Sequence, residues 1–356
     1  VKVAAKPGLI VLFGSGETSP SGQKVFDWLL RQLPVPVQVA ILETPAGFEL
    51  NSPQVAGRIA SFFSHNLQNY RPRVTVVPAR KRGTPFSPDA VEIAAMIPGK
   101  DAVFLGPGSP TYAVRQLQDS LAWRATVTSH LRGTALVMAS AATIAAAAYA
   151  LPVYEIYKVG EDPHWKPGLD FFSLYGLSLV LVPHWNNQDG GEELDTSRCY
   201  MGRDRFDSLL EMLPPGPTVV GIDEQTALIL DLATETCRVM GRGGVTVLSE
   251  GKALRFEQGQ TFSVRTLGPL QMPGDEILLP PEVAAQVQAL QLQAREAAAS
   301  EPPPQIVALV GKRETARSRG DWAVADALRA RIEATGWRIS DTPEGPRLES
   351  IPEEAP

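Results

Sequence analysis

The chain has 356 residues, 44% of them hydrophobic and 20% charged, a composition that excludes a disordered polymer and supplies one sizeable core plus a small appendage. A formal net charge of −6 provides no global field for gathering nucleic acid. Cys199 and Cys237 are the two cysteines, too few for a disulfide framework or a cysteine-built zinc site and consistent with a reducing compartment. The stretch Val1, Lys2, Lys6 and Pro7 lacks the features of a secretory signal, and no run approaches the roughly 20 apolar residues of a membrane span. A cytoplasmic location without membrane contact is therefore expected.

Taken in chain order, short apolar runs rich in β-branched residues recur at Leu9–Phe13, Val37–Leu42, Val74–Val77, Ala102–Leu105, Ala135–Met138, Leu179–Val182 and Val219–Ile222, with helical patterns between them. That alternation predicts βαβ units, and continuous apolar strands imply burial on both faces. The expected fold class is α/β, a doubly wound and mostly parallel sheet, with the Ala-rich run Ala141–Ala150 as a buried helix. After about residue 238, Arg242–Val247 and Thr261–Val264 predict antiparallel strands that cap the core. A helix over Pro281–Ala299 then leads into Ser300–Glu301–Pro302–Pro303–Pro304, read as a semi-rigid linker. The expected division is a core over 1–298, a linker over 299–304 and a mainly helical module over 305–356. Within that module two helical patterns precede Trp337–Ile339, a turn around Pro343–Glu344–Gly345 and a polar end expected to fray.

Reacting groups in an open parallel sheet collect beyond the carboxyl ends of strands. Five such ends are suggestive: Gly14–Ser15–Gly16–Glu17, Gly106–Pro107–Gly108–Ser109, Ala139–Ser140–Ala141–Ala142, Pro183–His184–Trp185 and Asp223–Glu224–Gln225–Thr226. Ser140 sits between a strand and a small-residue helix, the setting that exposes a nucleophilic hydroxyl. A serine needs a neighbouring base, for which His184 is the candidate, and Glu224 is placed to orient the imidazole. Gly108 and Ala141 are candidates for the backbone donors of an oxyanion hole. Each has a plainer reading: Ser140 as a helix cap, His184 as a buried core histidine, Asp223 and Glu224 as turn caps, and the glycines as tight turns.

FLGPGSPTY at 104–112, VPHW at 182–185 and GIDEQTALI at 221–229 together resemble segments of the cyanophycinase and dipeptidase E group of serine peptidases, whose fold is class I glutamine-amidotransferase-like. The likeness covers most of residues 8 to about 265. It implies Ser140 as nucleophile, His184 as base, Glu224 as orienting acid and Gly108 with Ala141 as oxyanion donors, with no metal and no cofactor. Group members that cleave aspartyl or β-aspartyl bonds hold a carboxylate, for which Arg198, Arg203 and Arg205 are candidates; the plainer reading is a solvated charged helix face. Both glycines of the group's Gly-x-Ser-Ala-Gly segment are absent, since Met138 and Ala142 occupy their positions, and Pro110 stands where the group often carries a polar substrate-binding residue. Glu155, Glu161 and Asp162 are reserve candidates for the acid.

RETARSRGDWAVADALRARIEATGWRISDTPEG at 313–345 resembles the C-terminal segment of cysteinyl-tRNA synthetase, through Arg313, Arg317, Asp321, Trp322, Ala325, Asp326, Arg329, Gly336, Asp341, Thr342 and Gly345. No synthetase nucleotide motif or zinc-ligand set accompanies it, so aminoacylation is excluded and a small module with a tRNA contact is implied. Lys312, Arg313, Arg317, Arg319, Arg329 and Arg331 are its candidate phosphate contacts, interspersed with Glu314, Asp321, Asp326 and Glu333. The expected function is a serine hydrolase acting on a small peptide or isopeptide, with further copies of the same chain as partners. The alternatives are a binding protein that keeps the pocket, a tRNA-associated adaptor, and an amidotransferase, disfavoured because that relative uses cysteine where Ser140 stands.

Overall fold

The structure, a computed structural model, describes residues 6–274, 279–300, 304–342 and 345–350. It divides into two compact units, Val1–Val287 and Gln288–Pro356. The strands of the first unit are β1 (Ile10–Phe13), β2 (Gln38–Leu42), β3 (Arg73–Val77), β4 (Ala102–Leu105), β5 (Ala135–Ala139), β6 (Tyr149–Ala150), β7 (Lys166–Pro167), β8 (Leu179–Val182) and β9 (Thr218–Ile222). They continue as β10 (Thr226–Asp231), β11 (Thr236–Gly241), β12 (Val245–Ser249), β13 (Lys252–Phe256) and β14 (Thr261–Ser263). The helices are α1 (Pro20–Leu30), α2 (Ser52–Asn66), α3 (Val91–Ala94), α4 (Pro110–Leu117), α5 (Leu121–Leu131), α6 (Ala141–Ala145) and α7 (Arg203–Glu211), and α8 (Pro281–Ser300) spans the division between units.

All seven apolar runs form strands. Five of them pair in parallel in the order β1-β5-β4-β2-β3, and β10, β11 and β14 extend the β1 edge in antiparallel fashion. Because alternate side chains of a strand face opposite ways, both faces of this sheet must be covered. Val11 and Phe13 meet α1 and α2 through Phe26, Phe62 and Phe63, whereas Ile10 and Leu12 share a core with Ile93, Leu117 and Ala145 of α3, α4 and α6. The result is a doubly wound α/β fold with a mixed, mostly parallel central sheet. Phe26 is 1% exposed, and its burial stabilises the fold by about 2–3 kcal/mol.

The expected single sheet is corrected in one respect: β8 and β9 pair in parallel in a separate four-stranded sheet, order β13-β12-β9-β8. The cause is local. After β9 the chain turns through Asp223–Gln225 and re-enters at once as β10, which takes the free edge of β1. The strand expected over Arg242–Val247 begins only at Val245, because the Asp223 carboxylate accepts the Gly244 N–H at 2.9 Å and a Cβ on Gly243 would meet that carboxylate at 2.5 Å. The strand expected over Thr261–Val264 ends at Ser263, whose hydroxyl caps a 3₁₀ turn from Val264 to Leu267. The Ala-rich helix stops at Ala145, and Tyr149–Ala150 forms a short strand against Lys166–Pro167 instead. The hairpin β10–β11 and strand β13 are absent from the sequence reading.

In the second unit, α9 (Pro304–Ser318) and α10 (Trp322–Glu333) precede the hairpin of β15 (Trp337–Thr342) and β16 (Gly345–Ser350). Ile306, Ile332, Trp337 and Ile339 form its core. The residues that carry the synthetase resemblance largely build this scaffold. Arg313 is 4% exposed and grips both oxygens of Asp341 at 2.9 and 3.0 Å, Arg317 joins the same carboxylate, and Asp321 caps α10. The run Pro302–Pro303, the turn residues Pro343–Glu344 and the end beyond residue 350 lie outside the described residues. Among the described residues no helix is long and apolar enough to cross a membrane.

Candidate active site

Ser140 follows β5 directly and opens α6, and its backbone lies at φ 52°, ψ −110°. A non-glycine residue there is strained by about 1–3 kcal/mol, the strand-to-helix elbow that lifts a hydroxyl out of the chain. Met138 does not prevent it, because its side chain is buried in the core beside Leu12 and Leu105. Thr143 ties the elbow down: its hydroxyl sits 3.1 Å from the carbonyls of both Phe13 and Met138. β1 lies next to β5 with Phe13 opposite Ala139, so the loop after β1 borders the nucleophile.

The Ser140 Oγ lies 2.9 Å from His184 Nε2, and His184 Nδ1 lies 3.0 Å from Glu224 Oε1. His184 has φ 52° immediately beyond β8, where its N–H reaches the Gly14 carbonyl at 3.3 Å. Glu224 stands in the β9–β10 turn. Hydrogen bonding from His184 and from the Asn187 side-chain amide, 2.9 Å away, holds the Glu224 carboxyl below the usual carboxylate range against the opposing effect of burial. Asn186 Oδ1 accepts the Glu224 backbone N–H at 2.8 Å. An Nδ1–H facing Glu224 leaves Nε2 as the acceptor toward Ser140, the tautomer that general-base chemistry needs.

Gly108, Ala141, Ser140 and His184 line one cleft of about 530 Å³. The N–H groups of Gly108 and Ala141 have no hydrogen-bond partner among the described residues. Position 108 demands glycine: φ is 149° and a Cβ would sit 1.9 Å from the Pro45 carbonyl oxygen. Ser109 caps α4 through Tyr112 N–H at 3.2 Å, and Pro110 lines the cleft.

Other expected residues lie elsewhere. Arg198 stacks its guanidinium 3.8 Å from the Trp185 ring centre and donates to the Trp185 carbonyl at 3.0 Å. With Arg203 it lines a neighbouring polar cleft, and Arg205 is an exposed residue of α7. None of the three lines the Ser140 cleft. Asp223, 1% exposed, is held by Arg255 through contacts of 2.6 and 3.3 Å. Glu155 pairs with Lys166 and Glu161 with His164. Three of the six candidate phosphate contacts in the second unit are engaged in ion pairs: Arg313 and Arg317 with Glu314 and Asp341, and Arg329 with Glu333.

Sequence reasoning assigned no role to several neighbours of His184. Burial pushes the Glu17 carboxyl up, while the nearby His184 pulls it down. Tyr200 sits at the end of three consecutive left-handed residues, Arg198, Cys199 and Tyr200, which bring its ring centre 5.8 Å from that of His184. The signal for Asn187 was its position three residues after His184 in an amide-rich segment; the long loop that returns Tyr200 carried none.

Comparison with known proteins separates the two units. No family model matches the chain. A crystal structure of a peptidase from an acI-B1 actinobacterium superposes with a TM-score of 0.58 at 19% identity, covering 73% of this chain and 98% of that one. A putative peptidase E from Listeria monocytogenes aligns over 71% of this chain and 100% of its own, at 10% identity and a TM-score of 0.41. The first unit therefore has a peptidase E-like α/β fold. Short sequence matches are to cysteinyl-tRNA ligases: 52% identity over 46 residues with that of Burkholderia lata and 40% over 58 residues with that of Methanosarcina mazei. These cover 13% and 16% of this chain and 10% and 12% of the ligases, so the chain spans about a tenth of their length.

Proposed function

We propose that the chain is a serine hydrolase that cleaves a small peptide or isopeptide, aspartyl substrates included. The observation that carries this reading is the relay from a strained Ser140 through His184 to Glu224, with distances of 2.9 and 3.0 Å, at the mouth of a cleft. As Ser140 Oγ attacks the scissile carbonyl, His184 Nε2 takes its proton and Glu224 stabilises the imidazolium. The carbonyl oxygen, now negative, receives the N–H groups of Gly108 and Ala141. His184 then protonates the departing amine, and water, deprotonated by His184, releases the acyl group from Ser140.

The elbow forms although both flanking glycines are missing, which favours catalysis over a pocket that only binds. The peptidase activity of the actinobacterial structural neighbour points the same way. The test is hydrolysis of aspartyl, β-aspartyl and neutral dipeptides beside Ser140→Ala, with fluorophosphonate labelling of Ser140 as a substrate-independent readout. Labelling and cleavage that both vanish in the variant support the reading; an unlabelled Ser140 and no cleavage above the variant's background overturn it.

A further inference from the structure

The cleft that holds Ser140 and His184 contains one further cation and one carboxylate among its lining residues, Lys158 and Asp189. Neither has an opposite charge within ion-pair distance among the described residues, whereas Arg80, Lys166, Arg255 and Arg265 each have one. Lys158 lies on a π-helical turn, Glu155–Val159, a distortion often found at functional sites. Its Nζ is 5.0 Å from the Tyr157 ring centre, a cation–π contact that holds the stem without neutralising the charge. Tyr157 packs 5.3 Å from Tyr200, and the Tyr200 hydroxyl donates to Asp189 Oδ2 at 2.9 Å. The wall thus runs from a cation, across two aromatic rings, to a carboxylate, and Tyr200 is also the ring beside His184. Asp189 stays ionised: hydrogen bonds from Asn187 and Tyr200 lower its pKa, and His184 adds to the effect.

From this wall we infer that the cleft selects short zwitterionic peptides, with Asp189 receiving the α-ammonium group beside the scissile bond and Lys158 receiving the C-terminal carboxylate. The inference rests on the hydrolase reading and assigns its specificity. The order of charges follows from the contacts, since Asp189 is joined through Tyr200 to His184 and Lys158 lies beyond Tyr157. Two fixed charges at the ends of one wall reject a chain that continues past either end, because an extended peptide leaves both unpaired. They also replace Arg198, Arg203 and Arg205, none of which lines the cleft, as the substrate-holding groups.

The test reads binding rather than turnover, so it is separable from the test of hydrolysis. Neutral, acidic and basic dipeptides, each also as its N-acetyl form and its C-terminal amide, are titrated calorimetrically into the Ser140→Ala protein. The best-binding zwitterion is expected to bind about tenfold or more tightly than either blocked form. Lys158→Gln is expected to abolish the penalty for the amide and keep that for the acetyl group; Asp189→Asn is expected to do the reverse. Penalties that persist in these variants, blocked forms that bind as well as the free peptide, or binding of no dipeptide in the panel overturn the inference. Loss of Ser140 labelling in the otherwise unaltered protein overturns only the hydrolase reading.

Discussion

Two histidines in the first unit are each contacted through both ring nitrogens, and their surroundings give them opposite roles. His184 stands half-buried between a hydroxyl and a carboxylate, Ser140 and Glu224. His130 is fully buried under α5, with Nδ1 3.3 Å from the Thr134 carbonyl and Nε2 2.7 Å from the Tyr175 hydroxyl. A carbonyl and a hydroxyl fix a neutral ring but offer no charge to stabilise a proton, and burial lowers the His130 pKa to about 4. A carboxylate beside Nδ1 stabilises the imidazolium that a general base must become. The difference between a structural and a reactive histidine here is the charge of one neighbour and the access of the other to a cleft.

The comparison breaks most visibly at the reactive end. Ser140→Ala and His184→Ala are each expected to reduce dipeptide hydrolysis about 10⁵-fold, with circular dichroism unchanged. Glu224→Gln retains the shape and removes the charge, so a loss of about 10³ to 10⁴ is expected, larger than any loss of stability. A variant that retains its full rate would show that the carboxylate only fills space. Asp223, adjacent in sequence, sharpens the contrast because its carboxylate is spent on Arg255 and Gly244. Asp223→Ala is expected to lower unfolding stability by about 3 kcal/mol in denaturant titration, since removal of one member of a buried pair strands the other.

The smallest effect is at the structural histidine and depends on pH. The folded-state pKa of His130 lies below its ordinary value of 6.5, so the unfolded chain binds the extra proton first. Its stabilising contribution is complete above pH 6.5 and is lost as pH falls toward 4, by about 3 kcal/mol at the lower end. His130→Gln is expected to flatten the stability-versus-pH curve in that window without altering the hydrolytic role of His184. An unchanged slope would assign the acid sensitivity to the carboxylates instead.

Much of this was legible along the chain. Seven apolar runs marked strands because burial on both faces leaves no polar alternation, and Ser140, His184 and Glu224 each follow such a run at the end where parallel sheets gather chemistry. The separate sheet of β8, β9, β12 and β13 was not legible, because strand pairing depends on which edge is free and not on the run itself. Nor was the difference between Asp223 and Glu224, two adjacent carboxylates that diverge because Arg255, some thirty residues later, reaches only one. Lys158, Asp189 and Tyr200 carried no local signal either, since residues separated by forty positions become one wall only after loops fold back.

Sequence alone determined that this protein would have a parallel α/β core with a serine, a histidine and a carboxylate at strand ends, because hydrophobic periodicity and turn chemistry are written locally. It likewise marked the second unit, whose recognisable residues are those of its own salt-bridged scaffold. Tertiary structure alone decided the distances of 2.9 and 3.0 Å, the positive φ at Ser140 and the charges left unpaired in the cleft. Those depend on long-range packing, where a shift of one ångström separates a hydrogen bond from none.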